Sequence, residues 1–77
     1  MQINVIVFGQ IAEITGNANF TIDGVADARQ LIKKLNSMYP RLINSKYVVA
    51  VNKKIIQDNT QLNEDCEIAI LPPFSGG

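Results

Sequence analysis

The feature that most constrains the fold of this chain is a single amphipathic helix set between runs of β-branched residues. Between residues 28 and 39, apolar side chains recur every three or four positions, the period of one helical face. Asp27 is the predicted N-cap, Gln30 completes a capping box, and Pro40 ends the helix. The residues expected to face the core are Ala28, Leu31, Ile32, Leu35, Met38 and Tyr39.

The other patterned segments are short and rich in β-branched residues, which predicts strands. The predicted strands are residues 2–9, 19–23, 47–51, 55–56 and 66–71. One or two helical turns are expected at residues 10–15. Turns are expected at residues 16–17, 23–24, 52–54, 58–62 (a single 3₁₀ turn is one reading) and 63–65. The order ββαβββ leaves one helical stripe that needs a sheet to cover it. We therefore predict an α+β domain over residues 1–71: a β-grasp (ubiquitin-like) fold, with a mixed sheet packed on one main helix.

One face of that sheet is expected to stay open, because a single helix covers only one side. The first strand is nonetheless apolar on both faces, with Ile3, Val5 and Val7 on one and Ile6 and Phe8 on the other. The face that carries Phe8 is therefore a candidate partner surface. Two alternatives remain: loops cover this face, or Phe8 belongs to the core and the assignment of the faces is reversed.

Composition excludes several kinds of function. Lys+Arg and Asp+Glu number seven each, so no basic footprint for nucleic acid is present. The chain has no histidine and one cysteine, Cys66, so we expect neither a disulfide nor a metal site. A lone thiol fits a reducing compartment, and Gln2 and Asn4 interrupt the N-terminal apolar run. We expect a cytoplasmic protein without a signal peptide or a membrane span.

Residues 72–77 are predicted to form an extended tail that ends in Gly76-Gly77. Pro72 and Pro73 cannot donate to a sheet, so they should end the last strand and direct the tail away from the domain. Six residues span at most about 20 Å. The two glycines lack side chains, so they could thread a narrow channel and present a bare carboxylate. The alternative is an ordinary frayed terminus.

Several segments in order resemble one family nearly end to end. They are Val7-Phe8-Gly9-Gln10-Ile11-Ala12-Glu13-Ile14-Thr15-Gly16, Leu35-Asn36-Ser37-Met38-Tyr39-Pro40, Val49-Ala50-Val51-Asn52, and the ending Leu71-Pro72-Pro73-Phe74-Ser75-Gly76-Gly77. Together they resemble the small subunit of molybdopterin synthase, a ubiquitin-like sulfur carrier. The double proline and the loop with Glu13 and Gly16 favour this branch over the thiamine-pathway carrier.

The resemblance implies a carrier that is not an enzyme alone and binds no cofactor. An activating enzyme would use ATP to adenylate the Gly77 carboxyl, and a sulfur donor would convert it to a thiocarboxylate. That sulfur would pass to the cyclic pyranopterin precursor of the molybdenum cofactor on the large synthase subunit, whose side chains supply catalysis, within a heterotetramer. Gly76 would permit threading. The residues implied to contact partners are Phe8, Ile55, Leu71, Pro72, Pro73, Phe74 and Ser75.

Two departures from the family pattern are Ala12, where an arginine is usual, and Cys66, at the start of the last strand. The Cys66 thiol is expected to be structural, with transient sulfur storage as the alternative. Other functions remain open as well: another sulfur carrier, a covalent protein modifier joined through Gly77, or a non-covalent interaction module.

Overall fold

A computed structural model describes residues 2–73 of the chain. It contains five strands, two α-helices and one 3₁₀ helix. In chain order these are β1 (Gln2–Val7), α1 (Gly9–Thr15), β2 (Asn19–Asp23), α2 (Ala28–Met38), the 3₁₀ helix (Pro40–Asn44), β3 (Val48–Val51), β4 (Lys54–Ile55) and β5 (Glu67–Leu71). The predicted order of strands and the main helix is confirmed.

The five strands form one mixed sheet in the order β2-β1-β5-β3-β4. The central strands β1 and β5 run parallel, and every other neighbouring pair is antiparallel. The core lies on the side of the sheet that α2 covers, where the strands contribute Ile3, Val5, Ile22, Ile68 and Ile70 and the helix contributes Leu31 and Leu35. This arrangement confirms the predicted β-grasp fold.

The N-terminus of α2 has the predicted cap. The Asp27 carboxylate accepts the Gln30 N–H at 2.9 Å, while the Gln30 side chain accepts the Ala26 N–H at 2.8 Å. The Gln30 N–H, helped by the Asn59 side chain, holds the pKa of the Asp27 carboxyl below its usual value. The loop before β5 braces the same turn, because Thr60 C=O accepts the Ala28 N–H at 2.8 Å.

The stripe on α2 is confirmed except at its C-terminal end. Tyr39 packs against the core and its ring lies 5.9 Å from that of Phe20. Met38, however, is 44% exposed, so its assignment to the core was wrong. The chain leaves α2 at Tyr39 and enters the 3₁₀ helix, whose Leu42 is buried. Leu42 is thus a core residue that the helical periodicity did not identify.

Several element boundaries differ from the sequence prediction. β1 ends at Val7 because Gly9 begins α1 with a positive φ of 61°. The β3–β4 turn consists of Asn52 and Lys53, both at positive φ, and β4 begins at Lys54. Residues 58–62 contain no 3₁₀ turn; Gln61 instead forms a β-bridge with Asp27. Within residues 2–73, no helix is both long enough and apolar enough to cross a membrane.

Candidate functional site

The sheet face opposite α2 carries a continuous apolar strip. Residues paired across neighbouring strands share a face, so the register places Ile6 beside Ala69, Ala69 beside Ala50, and Val48 beside Leu71. Ile55 pairs with Ala50, and Phe8 follows two positions after Ile6 in an extended conformation. We call this set the apolar strip: Ile6, Phe8, Val48, Ala50, Ile55, Ala69 and Leu71.

The exposure of the strip confirms that this face is open. Phe8 is 45% exposed and Ile55 is 44% exposed, whereas the core-facing residues Val5 and Val7 of β1 are buried. The alternative that Phe8 is a core residue is therefore wrong. Leaving two large apolar side chains in water is unfavourable, so an apolar patch of this kind is typical of a surface that another protein covers.

The residues on this open face become polar and acidic with increasing distance from Pro72. Beyond Ile6 and Ala69, the same face continues into Asn4 and Glu67, which pair with each other. Glu64, Asp65 and Glu67 line a shallow groove there together with Asn4. The open face is thus apolar at the end where Leu71 and Pro72 lie and acidic at the opposite end. A partner with apolar residues and a cationic edge would match this distribution.

The base of the tail is fixed against the start of α1. The Phe8 N–H donates to the Ile70 C=O at 2.9 Å, which continues the parallel pairing of β1 with β5 up to the tail. A Cβ added to Gly9 would lie 2.8 Å from the Cγ of Pro72, closer than real Cβ atoms approach a neighbour. Gly9 therefore permits the contact that positions Pro72. The sequence prediction missed this role by placing Gly9 in the strand.

Helix α1 is anchored to the domain at this end of the sheet. Its C-terminus is capped by Gly16, which adopts the left-handed conformation with φ 77°. The Thr15 hydroxyl is buried and donates to the Asn17 C=O at 2.7 Å, closing the turn that follows. Ile11 anchors the helix in the core, while Glu13 remains exposed. Pro72 therefore lies beside an anchored helix rather than a loose loop.

The described residues contain little that could perform chemistry. Among residues 2–73, no group of three or more His, Cys, Asp and Glu side chains could hold a metal ion. Cys66 is buried at 5% exposure, and its sulfur accepts the Asn63 N–H at 3.4 Å. The Cys66 thiol thus stabilises the turn before β5, in agreement with its predicted structural role.

The structure brings three of the predicted contact residues onto one face. Phe8, Ile55 and Leu71 all belong to the apolar strip, and Pro72 lies at its edge beside Gly9. Pro73 is exposed. The predicted roles of Phe74, Ser75, Gly76 and Gly77 fall outside the described residues.

Known proteins with similar sequences match the chain along its length. The profile of the ThiS family matches residues 5–77. A molybdopterin synthase sulfur carrier subunit from Dictyostelium discoideum is 34% identical over 83 residues, which cover 99% of this chain and 96% of that protein. The human molybdopterin synthase sulfur carrier subunit is also 34% identical, over 99% of this chain and 94% of its own length.

Two solved structures share the fold. A chain from the complex of subunits 1 and 2 of the Helicobacter pylori molybdopterin-converting factor aligns with a TM-score of 0.73 and 29% identity over all of both chains. Small archaeal modifier protein 1 from Methanosarcina acetivorans aligns with a TM-score of 0.81 over 99% of this chain and 96% of its own, at 24% identity. The chain therefore belongs to the ThiS family, and its fold is the ubiquitin-like β-grasp.

Proposed function

We propose that this protein is the sulfur carrier subunit of a molybdopterin synthase and that it carries sulfur as a thiocarboxylate on Gly77. The observation that carries this proposal is the position of the apolar strip, which extends to the point where the Gly-Gly tail departs. A partner that covers the strip would have Pro72 at the edge of its contact, and the remaining residues could enter an active site. The relatives named as molybdopterin synthase sulfur carrier subunits support the choice of reaction.

The proposed chemistry starts from the Gly77 carboxylate, which is a poor electrophile and must be activated. The Gly77 carboxylate attacks the α-phosphorus of ATP on a separate activating enzyme, and pyrophosphate leaves. The resulting acyl-adenylate has a good leaving group, so hydrosulfide can displace AMP and leave a thiocarboxylate directly. A persulfide donor would first give an acyl disulfide, from which a second thiol releases the thiocarboxylate by forming a disulfide with the donor. The thiocarboxylate sulfur then attacks a carbon of the cyclic pyranopterin precursor and displaces the oxygen leaving group that this carbon carries. Hydrolysis of the acyl link regenerates the carboxylate, and two rounds complete the dithiolene that binds molybdenum.

The side chains of the domain are consistent with a carrier whose partners supply the catalytic groups. The described residues offer a docking face and a fixed tail base, whereas acid–base groups and phosphate-binding groups would come from the large subunit and the activating enzyme. No bound cofactor is required by the carrier itself, since ATP is consumed by its activator. We place the protein in the cytoplasm, where its single thiol, Cys66, would remain reduced.

The large subunit is the proposed partner of the apolar strip, with Phe8, Ile55 and Leu71 at the contact. The related Helicobacter pylori protein was solved in a complex of subunits 1 and 2, which supports a two-subunit arrangement. In the proposed complex, Pro72, Pro73 and Phe74 aim and anchor the tail. Gly76 permits threading, because any Cβ there would widen the tail.

Mass spectrometry of the C-terminal peptide tests the proposal. The protein is incubated with ATP, a sulfur source and its activating enzyme, and fragmentation locates the replacement of one oxygen by sulfur at Gly77. Fragmentation is required because addition of one oxygen to Cys66, which lies in the same C-terminal region, gives nearly the same change in mass. An unmodified Gly77, with an activating enzyme that is competent on a known carrier, would overturn the proposal.

A matched variant tests the threading of the tail. Gly76→Tyr is expected to leave thermal unfolding unchanged, because residue 76 lies beyond the last strand, and to abolish sulfur transfer. Normal transfer by Gly76→Tyr would contradict the proposed role of Gly76. Isopeptides between Gly77 and lysines of other proteins in cell extracts would instead indicate a protein modifier.

A further inference from the structure

The outer edge of β3 is only partly paired, and a groove opens where the pairing stops. The ladder between β3 and β4 ends at the Ala50–Ile55 pair. One bond continues it, from the Ile56 N–H to the Val49 C=O at 3.0 Å, before the chain turns away toward residues 57–59. The edge that remains could pair with another extended chain.

The backbone groups at this edge point outward. Asn52 N–H bonds to Glu67 C=O on β5, so antiparallel alternation directs residues 48, 50 and 52 toward β5 and residues 47, 49 and 51 away from it. Residues 2–73 provide no backbone partner for the Val49 N–H or for the N–H and C=O of Tyr47. Val49 lines the groove that opens here, so a carbonyl group bound in the groove could accept its N–H.

A groove with both apolar and polar lining lies directly beside these groups. It has a volume of about 500 Å³, within the range of typical ligand sites. Ala28 and Ile32 of α2 form one wall, and Tyr47, Val49 and Ile56 form the other. Ile32, Tyr47 and Ile56 are all half-buried, so apolar surface is still available to a ligand.

The walls of the groove are held in place before any ligand binds. Asn59 accepts the Arg29 N–H at 2.9 Å, which ties the loop after β4 to α2. On the other wall, the Tyr47 hydroxyl donates to the Asn36 side chain at 3.3 Å, and burial raises the pKa of that hydroxyl. A groove whose walls are already fixed loses little conformational entropy when it binds a ligand.

Two charged residues line the groove, Arg29 and Asp58, and both are exposed. Within the described part of the chain, the only ion pair closer than 4 Å joins Lys34 to Asp23, so Arg29 and Asp58 are both available to a ligand. An extended peptide with one acidic and one basic residue on either side of an apolar centre would match them in charge.

We propose that this edge groove binds an extended peptide segment of a partner protein, which adds a strand to β3 beside Tyr47 and accepts a hydrogen bond from the Val49 N–H. Its apolar side chain fills the space between Ile32 and Ile56, and its flanking acidic and basic residues face Arg29 and Asp58. This is the β-augmentation mode of recognition, in which backbone bonds supply affinity and a side-chain pocket supplies specificity. The groove borders α2, whereas the apolar strip lies on the opposite face of the sheet; Val48 of β3 belongs to both surfaces.

The probe for this proposal is the capped peptide Glu-Val-Ile-Thr-Lys, titrated into the full-length isotope-labelled protein and followed by NMR. Binding with a dissociation constant of about 1 mM or tighter is expected, with shifts at Tyr47, Val49 and Ile56 and slower hydrogen exchange of the Val49 amide. Two N-methylated forms of the peptide, methylated at alternating positions, separate backbone pairing from apolar contact. Binding should be lost only by the peptide in which the methyl groups replace the N–H hydrogens that face β3.

Arg29→Glu tests the charge match, and Lys33→Glu is its control because Lys33 is exposed on the same helix but does not line the groove. Arg29→Glu is expected to weaken binding about threefold to tenfold, since it replaces an exposed attraction with a repulsion. Lys33→Glu should change it by less than about twofold.

The proposal would be overturned by absence of binding at several millimolar peptide, by shifts confined to Ile6 and Ala69 on the open face, or by equal binding of the two methylated forms. Protection of the Val49 amide that grows with protein concentration in the absence of peptide would also overturn it. That result would mean that the edge pairs with a second copy of the chain. None of these outcomes depends on sulfur transfer, so the test is separate from that of the proposed function.

Discussion

Phe8→Asp separates docking from folding at the apolar strip. Phe8 is 45% exposed in the free protein, so roughly half of its surface contributes to stability. Complete burial of a phenylalanine contributes about 1.5–3 kcal/mol, and the substitution should therefore lower the free energy of unfolding by about 1 kcal/mol. The new carboxylate would remain hydrated in the free protein, so no further cost is expected.

The same substitution should be far more costly in the complex with the large subunit. Docking on the strip would cover the introduced carboxylate with apolar surface, and the desolvation of an unpaired charge costs several kcal/mol. Loss of the burial that Phe8 gains on docking adds about 1 kcal/mol. The sum is at least about 3 kcal/mol, which corresponds to a dissociation constant raised roughly a hundredfold or more.

The assay is titration calorimetry of each variant with the large synthase subunit, accompanied by thermal and denaturant unfolding of the variant alone. Ile43→Asp is the matched control. Ile43 is 65% exposed on the 3₁₀ helix and is not part of the apolar strip. Its substitution introduces the same charge into an exposed apolar position and should leave binding within about twofold of the original protein.

Unchanged binding of Phe8→Asp would refute the assignment of the strip as the docking face. An equal loss of binding in Ile43→Asp would show that added negative charge, rather than its position on the face, weakens the complex. A loss of stability of about 3 kcal/mol or more in Phe8→Asp would show that Phe8 behaves as a core residue.

Further predictions concern the tail base, the β3–β4 turn and the cap of α2. Gly9→Val should lower the free energy of unfolding by more than Gly16→Val, measured by denaturant unfolding. Both positions have positive φ, but only Gly9 also contacts Pro72. Equal losses of stability in the two variants would exclude a role for that contact. Lys53→Gly should raise stability by about 0.5–1 kcal/mol, measured as a higher denaturation midpoint with an unchanged m-value, since φ at Lys53 is 71°; a lower midpoint would contradict this turn geometry. The pKa of Asp27 is lower in the folded protein, so its contribution to stability is present above the unfolded value of 3.8 and is lost as the pH falls through the folded value. Asp27→Asn keeps a capping oxygen and should flatten this part of the acid unfolding profile, and an unchanged profile would show that Asp27 does not cause the acid sensitivity.

The sequence determined the parts of this protein that depend on local periodicity. The spacing of Ala28, Leu31 and Leu35 identified the main helix, and Asp27 with Gln30 identified its start, because the repeat of a helix is fixed by backbone geometry. Alternation along residues 3–8 likewise identified Phe8 as a residue of the face opposite the helix. The fold class followed, since one apolar stripe and several short strands have few ways to cover each other.

The features that depend on contacts between distant segments were decided only by the tertiary structure. Gly9 and Pro72 are 63 positions apart in the sequence. Their contact arises because parallel pairing of β1 with β5 brings both strand ends together. The exposure of Met38 reflects the direction that the chain takes into the 3₁₀ helix, and the edge groove exists because β4 ends after two residues. A sequence pattern reports which face a residue occupies, but packing between elements decides which other segment, if any, covers that face.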